Sequence, residues 1–204
     1  MKQSLQRLHN MLKGLLNNVI HTPLAQGVRL DQIKSHQRVS ELEFNLRSGN
    51  LPAKTLNQWL EQHHYQVPSI SYTLPPRYLK GFIDLVIEQN ERFYLIDWKS
   101  NHLGFRKENY FQQPMQEAMS EHGYELQGLL YALALHRFLR NRKKDYDYEK
   151  HFGGALYLFI RGIRIDWQEA DDIPAGCFML RPSWEEMQSL DALFNALPTN
   201  EGLS

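Results

Sequence analysis

Two aspartates and a lysine carry the chemistry that this sequence suggests most strongly. Asp84 is followed thirteen residues later by Asp97, and Lys99 lies two residues beyond Asp97. Carboxylates are the ligands that a hard cation such as Mg²⁺ or Mn²⁺ prefers. A nearby ammonium can orient an attacking water or stabilise charge on a phosphorane. The three residues suit metal-dependent cleavage of a phosphodiester, although Asp and Lys are also common in ordinary surface hairpins.

The pattern around these residues predicts a β-hairpin over residues 78–99. Apolar and polar residues alternate on both sides of the polar segment Gln89-Asn90-Glu91. If Asn90 and Glu91 form a two-residue loop, Asp84 faces Asp97 with the Cβ atoms about 5 Å apart. Two like charges at that separation require a proton or a cation between them. A three-residue loop would shift this register.

The same pairing predicts where the next side chains point. Lys99 shares the face of Asp97, because side chains alternate along a strand. Trp98 points to the opposite face, towards a core. The flanks of the two acids are apolar at Ile83, Leu85, Leu95 and Ile96. Charges are rarely placed in such surroundings without a partner, which favours a functional site.

Further helices and strands must position this hairpin. Residues 114–142 or 123–142 form the strongest predicted helix, and residues 100–113 are expected to form a loop near the site. The other expected helices cover residues 4–20, 53–64 and 183–196, with Ser183 as an N-cap, and the other strands cover 38–46, 155–160 and 176–180. This order predicts an α/β fold with a mixed β-sheet flanked by helices.

Several other polar residues have both a functional and a structural interpretation. Gln127 and Tyr131 share one helix face and could bind phosphate or support the carboxylates, or Tyr131 could merely pack while Gln127 is solvated. Glu41 is a third candidate acid; Glu43 has the same predicted face, and either could be a solvated strand residue. The strong helix ends in a run of basic residues, which either interact favourably with the helix dipole or contact phosphate. They are Arg137, Arg140, Arg142, Lys143 and Lys144.

Composition narrows the class of protein. The 204 residues include 23 basic and 23 acidic side chains, which argues against a generally basic nucleic-acid binder but allows a local basic groove. The length suits one domain over residues 1–204, with a frayed tail over 198–204. A single cysteine, Cys177, excludes a disulfide framework and favours a reducing cytoplasm. No apolar run approaches the length of a transmembrane helix, so no membrane association is expected.

Three segments resemble a known family. LKGFIDLVIEQNERFYLIDWKSNHLG, YELQGLLYALALHRFLRNR and YDYEKHFGGALYLFIRG are similar to the C-terminal nuclease domain of RecB proteins, the β subunits of RecBCD (exodeoxyribonuclease V). The resemblance extends over about residues 5–195. It implies a restriction-endonuclease-like PD-(D/E)xK core and a Mg²⁺-dependent exodeoxyribonuclease, with Mn²⁺ as an alternative metal. The implied reaction is in-line hydrolysis of DNA, preferably single-stranded, in double-strand-break repair and recombination.

The resemblance also implies roles for individual residues. Asp84 and Asp97 match the metal-binding acids, and Lys99 matches the catalytic lysine. The implied supporting residues are the backbone carbonyl of Trp98 as a further metal ligand, Gln127 and Tyr131 as the family's Q-x-x-x-Y motif, and Glu41, rather than Glu43, as the upstream acid and a possible fourth metal ligand.

One departure from the family leaves a second function open. The family has an upstream metal-binding histidine, and this sequence is expected to start after it; His9 is a poor match for that residue. The alternative is therefore a catalytically impaired fragment or docking module. Such a module would bind DNA, RecC-like and RecD-like subunits, or the recombinase RecA.

Overall fold

The computed structural model describes residues 2–74, 77–169 and 173–196. The expected tail over residues 198–204 lies outside the described residues. The helices are α1 (Lys2–His21), α2 (Ala53–Gln62), α3 (Gln112–Glu121), α4 (Tyr124–Arg142), α5 (Tyr148–His151) and α6 (Trp184–Asn195). The strands are β1 (Arg38–Ser48), β2 (Arg77–Gln89), β3 (Arg92–Lys99), β4 (Phe152–Phe159) and β5 (Cys177–Leu180).

The five strands form one sheet in the order β1-β2-β3-β4-β5. Strands β1, β2 and β3 are mutually antiparallel, β3 and β4 are parallel, and β5 is antiparallel to β4. The predicted α/β fold with a mixed sheet is confirmed. Because β4 is parallel to β3, the chain must cross over between them, and α3, α4 and α5 form that crossover.

The predicted hairpin register is confirmed. Gln89 pairs with Arg92 and Leu85 with Ile96, which leaves Asn90 and Glu91 as the two loop residues. Both loop residues have positive φ angles, of 53° and 62°. That conformation belongs to the type I′ turn, whose twist matches the twist of the flanking strands.

Helices cover the two faces of the sheet unequally. Alternate residues of β3 and β4, such as Leu95 and Ala155, pack with α3, α4 and α6 in the larger core. The other face, including Ile96 and Leu156, packs against Val19 of α1 and the segment that follows it. All eight residues of β4 are buried, as expected of a strand covered on both faces.

The structure changes several predictions at the level of single elements. Of the two predicted ranges for the strong helix, 123–142 is confirmed by α4, and 114–142 is wrong because Gly123, whose φ of 67° is left-handed, separates α3 from α4. Residues 100–113 are not an unbroken loop, because Lys107–Tyr110 form a short 3-10 helix and α3 begins at Gln112. The short helix α5 was not predicted. The N-cap at Ser183 is confirmed, since its side chain accepts a hydrogen bond from the N–H of Glu186.

The prediction that Trp98 faces a core is wrong, because its side chain is 37% exposed. Trp98 lies on the same face as Tyr94 and Ile96, but it is one residue from the end of β3. Trp98 is not part of the smaller hydrophobic core to which Tyr94 and Ile96 belong. Over the described part of the chain, no helix has the length and apolar character needed to cross a membrane.

Candidate active site

The two aspartates lie next to each other where β2 and β3 leave their ladder. Leu85 and Ile96 are the last paired residues, so the next positions bring Asp84 opposite Asp97. Asp97 is only 4% exposed. The Oδ2 atom of Asp84 accepts a hydrogen bond of 3.0 Å from the backbone N–H of Trp98. The hairpin therefore holds both carboxylates close to the carboxyl end of β3.

The electrostatics of this pair are unfavourable for a second negative charge. Burial raises the pKa of the Asp97 carboxyl, the hydrogen bond and charge of Lys99 oppose that rise, and the charge of Asp84 adds to it. The net change in the pKa of Asp97 is upward. One lysine therefore does not compensate for burying one carboxylate beside another, and an added cation would favour the ionised form of both.

Three contacts hold the Lys99 ammonium in place. Its Nζ atom lies 2.6 Å from the Oδ2 atom of Asp97, and it donates a hydrogen bond of 3.0 Å to the Oε1 atom of Gln127. The ring centroid of Tyr124 lies 3.6 Å from Nζ, which is a cation–π distance. Lys99 is 7% exposed. Its position is therefore set by the sheet and by α4 together.

The helix α4 supplies a second hydrogen-bonded pair. Gln127 and Tyr131 are one turn apart, and the Nε2 atom of Gln127 donates to the Tyr131 hydroxyl at 3.0 Å. Gly128 makes the close approach of α4 to the sheet possible, because a Cβ atom there would lie 2.5 Å from a methyl carbon of Leu180. The Gln127 amide thus links Lys99 to Tyr131.

The Tyr131 hydroxyl stays protonated at neutral pH. Burial raises its pKa, the hydrogen bond from Gln127 opposes the rise, and the charges of Asp97 and Asp84 add to it. The ring packs edge-on against Phe44, with centroids 5.5 Å apart. Because the hydroxyl oxygen accepts from Gln127, its own proton is available to a further acceptor, such as a phosphate oxygen.

The two candidate upstream acids are placed differently. Glu41 is exposed and has a φ of 51°, which interrupts the alternation of β1. The pairs that flank Glu41 in β1 bring it opposite Asp84. Glu43 instead forms a surface ion pair of 3.0 Å with Lys80. Among the described residues, no three His, Cys, Asp or Glu side chains are gathered closely enough to hold a metal ion. Glu41 is therefore not brought into a three-acid cluster with the two aspartates.

The basic end of α4 has a partner that the sequence did not suggest. The Nε atom of Arg137 lies 2.5 Å from Oδ1 of Asp191 in α6, and Nη1 of Arg140 lies 3.1 Å from its Oδ2. Arg137 also donates to the backbone carbonyl of Arg47. These two guanidiniums connect α4, α6 and β1, so their observed contacts are structural.

Two aromatic residues of the site were not predicted from the sequence. Tyr124 precedes Gln127 by three residues and Tyr131 by seven, so helical spacing alone could have placed it on the same face. Tyr157 pairs with Asp97 in the parallel ladder, and its hydroxyl donates to the carbonyl of Tyr124 at 3.0 Å. No local pattern marks Tyr157, because its place depends on β4 lying beside β3.

Comparisons with known proteins identify the family of this chain. Residues 4–195 match the family described as the PD-(D/E)XK nuclease superfamily. The chain is 39% identical over 196 residues to the RecBCD enzyme subunit RecB of Escherichia coli, which covers 94% of this chain and 16% of that protein. It is 47% identical over 163 residues to the same subunit of Mycobacterium tuberculosis, which covers 69% of this chain and 15% of the subunit.

A third relative, RecB of Haemophilus influenzae, is 34% identical over 201 residues, with 95% of this chain and 16% of that subunit covered. The chain thus spans about one sixth of the length of these curated relatives. The family match covers the sheet and the helices that carry the candidate site. The predicted PD-(D/E)xK core is confirmed, and the chain belongs to the PD-(D/E)XK nuclease superfamily, with the nuclease region of RecB among its homologues.

Proposed function

We propose that this chain hydrolyses DNA phosphodiester bonds in a reaction that depends on Mg²⁺ or Mn²⁺, with single-stranded DNA as the preferred substrate. The observation that carries the proposal is the buried ion pair of Asp97 and Lys99 with a second carboxylate, Asp84, beside Asp97. The similarity to RecB supports an exonuclease in RecBCD-type double-strand-break repair and recombination.

The residues present suit a hard divalent cation. Asp84 and Asp97 would supply carboxylate oxygens, and the backbone carbonyl of Trp98 would supply a third oxygen. The carbonyl of Lys99 accepts the N–H of Ile160 on the β4 side. Because backbone groups alternate along a strand, the N–H and carbonyl of Trp98 both point to the β2 side. The observed bond from the Trp98 N–H to Asp84 agrees with that direction.

Each polar group has a distinct role in this proposal. A bound divalent cation supplies Lewis acidity to the phosphate and lowers the pKa of water. Lys99 orients the attacking water or stabilises charge that develops on the phosphate, and Asp97 and Gln127 fix the ammonium for that purpose. Gln127 also turns the Tyr131 hydroxyl so that its proton faces outward. Tyr131 then donates a hydrogen bond to a phosphate oxygen and orients the DNA strand.

The test is a nuclease assay on the whole chain with single-stranded DNA. Cleavage should occur with Mg²⁺ or Mn²⁺ and stop with EDTA, and Asp84→Ala should remove it while circular dichroism shows an intact fold. A matched control is Glu88→Ala, which removes an acid from the same strand nearer its turn. Cleavage that survives in Asp84→Ala would contradict the assignment of the site.

A second candidate function is docking without catalysis, and one observation favours it. The helix α1 exposes a row of apolar side chains to solvent: Leu5, Leu8, Leu12 and Leu16. Such a row is typical of a surface that packs against another protein. By similarity to RecB, RecC-like and RecD-like subunits and RecA are the proposed partners. A folded chain that never cleaves DNA under any metal condition would favour this function over hydrolysis.

A further inference from the structure

An open groove on the α1 side of the sheet, near the carboxyl end of β3, has the chemistry of a nucleic-acid path. It has a volume of about 510 Å³ and lies between α1, the segment that follows β3, and the segment that follows β4. The groove is lined by the aromatic rings of Phe105 and Trp167 and by two arginines, Arg161 and Arg164. No Asp or Glu of the described residues lines it. Among the described lining residues, the two arginines therefore carry the formal charge.

The groove begins within a few residues of Lys99. The Nε atom of Arg161 donates a hydrogen bond of 2.9 Å to the backbone carbonyl of Ser100. His102, which also lines the groove, follows Lys99 by three residues, a chain length of about 10 Å. Asp97 and Lys99 lie on the α4 face of the sheet, whereas the groove opens on the α1 face. One DNA strand crossing the end of the sheet would contact both.

The aromatic side chains are presented in a way that suits stacking with bases. Phe105 is 91% exposed, yet its ring is held edge-on against His102, with centroids 4.6 Å apart. The guanidinium carbon of Arg164 lies 4.3 Å from the ring centroid of Trp167. Covering an exposed ring with a ligand removes apolar surface from water, which favours binding, and base stacking on such rings is tolerant of sequence.

The two groove arginines, Arg161 and Arg164, differ in their ion pairing from the arginines near the carboxyl end of α4. Among the described residues, no carboxylate forms an ion pair with Arg161 or Arg164. Arg137 and Arg140, in contrast, are both paired with Asp191. A phosphate approaching the groove would meet guanidiniums that no described acid already occupies, which favours binding of a polyanion.

We propose that this groove binds nucleotides of single-stranded DNA that flank the cleaved bond, with Phe105 stacking on a base and Arg164 contacting a phosphate. The proposal rests on the proposed function, because it places the strand relative to Lys99. It assigns a substrate-positioning role to residues that lie outside the carboxylate site. A stacked base and a bound phosphate next to the cleaved bond would limit the sliding of the DNA strand through the active site.

Binding of fluorescein-labelled oligothymidylate, measured by fluorescence anisotropy in EDTA, tests the groove without requiring cleavage. Phe105→Ala should weaken binding on the order of tenfold, as expected for loss of one stacked base. Arg164→Ala should weaken it and also reduce the slope of log K against log salt by about 0.7, as expected for one lost phosphate contact to a single strand. Phe105→Ala should leave that slope unchanged.

A matched control exists at the end of α4, where the guanidinium carbon of Arg142 lies 5.5 Å from the ring centroid of Phe138. Arg142 lies fifteen residues beyond Gln127 in that helix, about 22 Å along its axis. Phe138→Ala and Arg142→Ala should bind within about twofold of the unchanged chain. Equal losses at both places, or no loss in the groove variants, would overturn the proposed path.

The outcomes for the groove and for the nuclease are separable. A chain that never cleaves DNA, but whose groove variants lose binding, supports the groove and contradicts the nuclease. A chain that cleaves DNA normally when Phe105 and Arg164 are replaced supports the nuclease and contradicts the groove. If both proposals hold, the groove variants should raise KM for single-stranded DNA far more than they lower kcat, since they remove binding outside the carboxylate site.

Discussion

Two clusters of charged side chains, one at each end of α4, have opposite balances of acid and base. At the amino-terminal end, Lys99 forms an ion pair with Asp97, and the second carboxylate, Asp84, lies opposite Asp97 and accepts a hydrogen bond from the N–H of Trp98. At the carboxyl-terminal end, Asp191 alone accepts hydrogen bonds from both Arg137 and Arg140. Ion pairs join α4 to α6 at Asp191, whereas the Asp97–Lys99 ion pair lies within β3 and reaches α4 through Gln127. The two clusters differ in how many opposite charges each carboxylate meets.

The pKa values of the two acids report that difference. Burial acts to raise the pKa of Asp191, but the hydrogen bonds and charges of Arg137 and Arg140 outweigh it and hold the pKa below its usual value. Burial likewise raises the pKa of Asp97, and there Lys99 does not outweigh it. The Asp191 carboxylate is fully compensated by the two arginines, and this cluster stabilises the fold. The Asp97 cluster lacks positive charge, which is the condition that favours binding of a cation.

Replacing each acid by its amide should produce the largest contrast between the clusters. Asp97→Asn should lower cleavage about a thousandfold or more. Asp97 is a proposed ligand of the metal ion, and the metal ion stabilises charge in the transition state by several kcal/mol. The same change should leave the free energy of unfolding unchanged or raised at neutral pH, since the native state disfavours ionised Asp97. A nuclease assay and urea unfolding of the same preparation would check both effects.

Divalent metal sharpens that result. Mg²⁺ or Mn²⁺ should raise the unfolding midpoint of the unchanged chain, because an ion that binds only the folded state stabilises it. The shift should be absent in Asp97→Asn and retained in Asp191→Asn. The proposed difference between the two clusters would be contradicted if the Asp97→Asn chain still cleaved DNA, or if it lost as much stability as the Asp191→Asn chain.

The hairpin shows how far sequence alone could reach into this site. The loop at Asn90 and Glu91, together with the alternation on both sides, is local information, and it was enough to place Asp84 opposite Asp97. The position of Tyr157 depends on a non-local choice, the parallel pairing of β3 with β4. The left-handed φ of Glu41 was also hidden, because a regular alternation was assumed throughout β1.

The Arg137–Asp191 contact was missed for a related reason. A basic run at a helix end has a plausible local explanation in the helix dipole, and fifty-four residues separate Asp191 from Arg137. Only the packing of α6 against α4 brings them together. Local patterns therefore identified which residues carry charge, whereas long-range packing decided which charges are compensated.

Asp191→Asn should give the next largest effect, and on stability rather than cleavage. Loss of the charge leaves two guanidiniums with a weaker acceptor, and we expect unfolding to become easier by about 2–3 kcal/mol. For a chain of this size that corresponds to a midpoint lower by about 4–12 °C. Cleavage per folded molecule should stay unchanged. Thermal unfolding followed by circular dichroism, with the assay run well below the midpoint, would separate the two quantities.

The smallest expected effect is the pH dependence of stability caused by His136. This side chain is 2% exposed, and its Nδ1 atom lies 3.2 Å from the Tyr146 hydroxyl. The pKa of His136 is lowered to about 4, mainly by burial; the charges of Arg140 and Arg137 add to the decrease, and the charge of Asp191 opposes it. The ring also packs against Tyr148 and Trp184. The histidine thus lies beside the cluster that has an excess of positive charge.

The sign of the effect follows from the two pKa values. Unfolded His136 takes up its proton near pH 6.5, and the folded state resists protonation until about pH 4. The unfolded state therefore binds more protons between these values, so stability is fully present above about pH 6.5 and is lost as the pH falls towards 4. Relaxation around the protonated ring reduces the loss to about 1–2 kcal/mol.

Urea unfolding at a series of pH values would measure this loss, with His136→Phe as the control for the eight other histidines. The variant should show a flatter dependence between pH 6.5 and 4, and an identical dependence would show that His136 is not its source. Asp191→Asn provides a second check, because removing that charge leaves Arg137 and Arg140 unopposed and should lower the pKa of His136 further. The loss of stability would then extend to lower pH, as a cluster with an excess of positive charge requires.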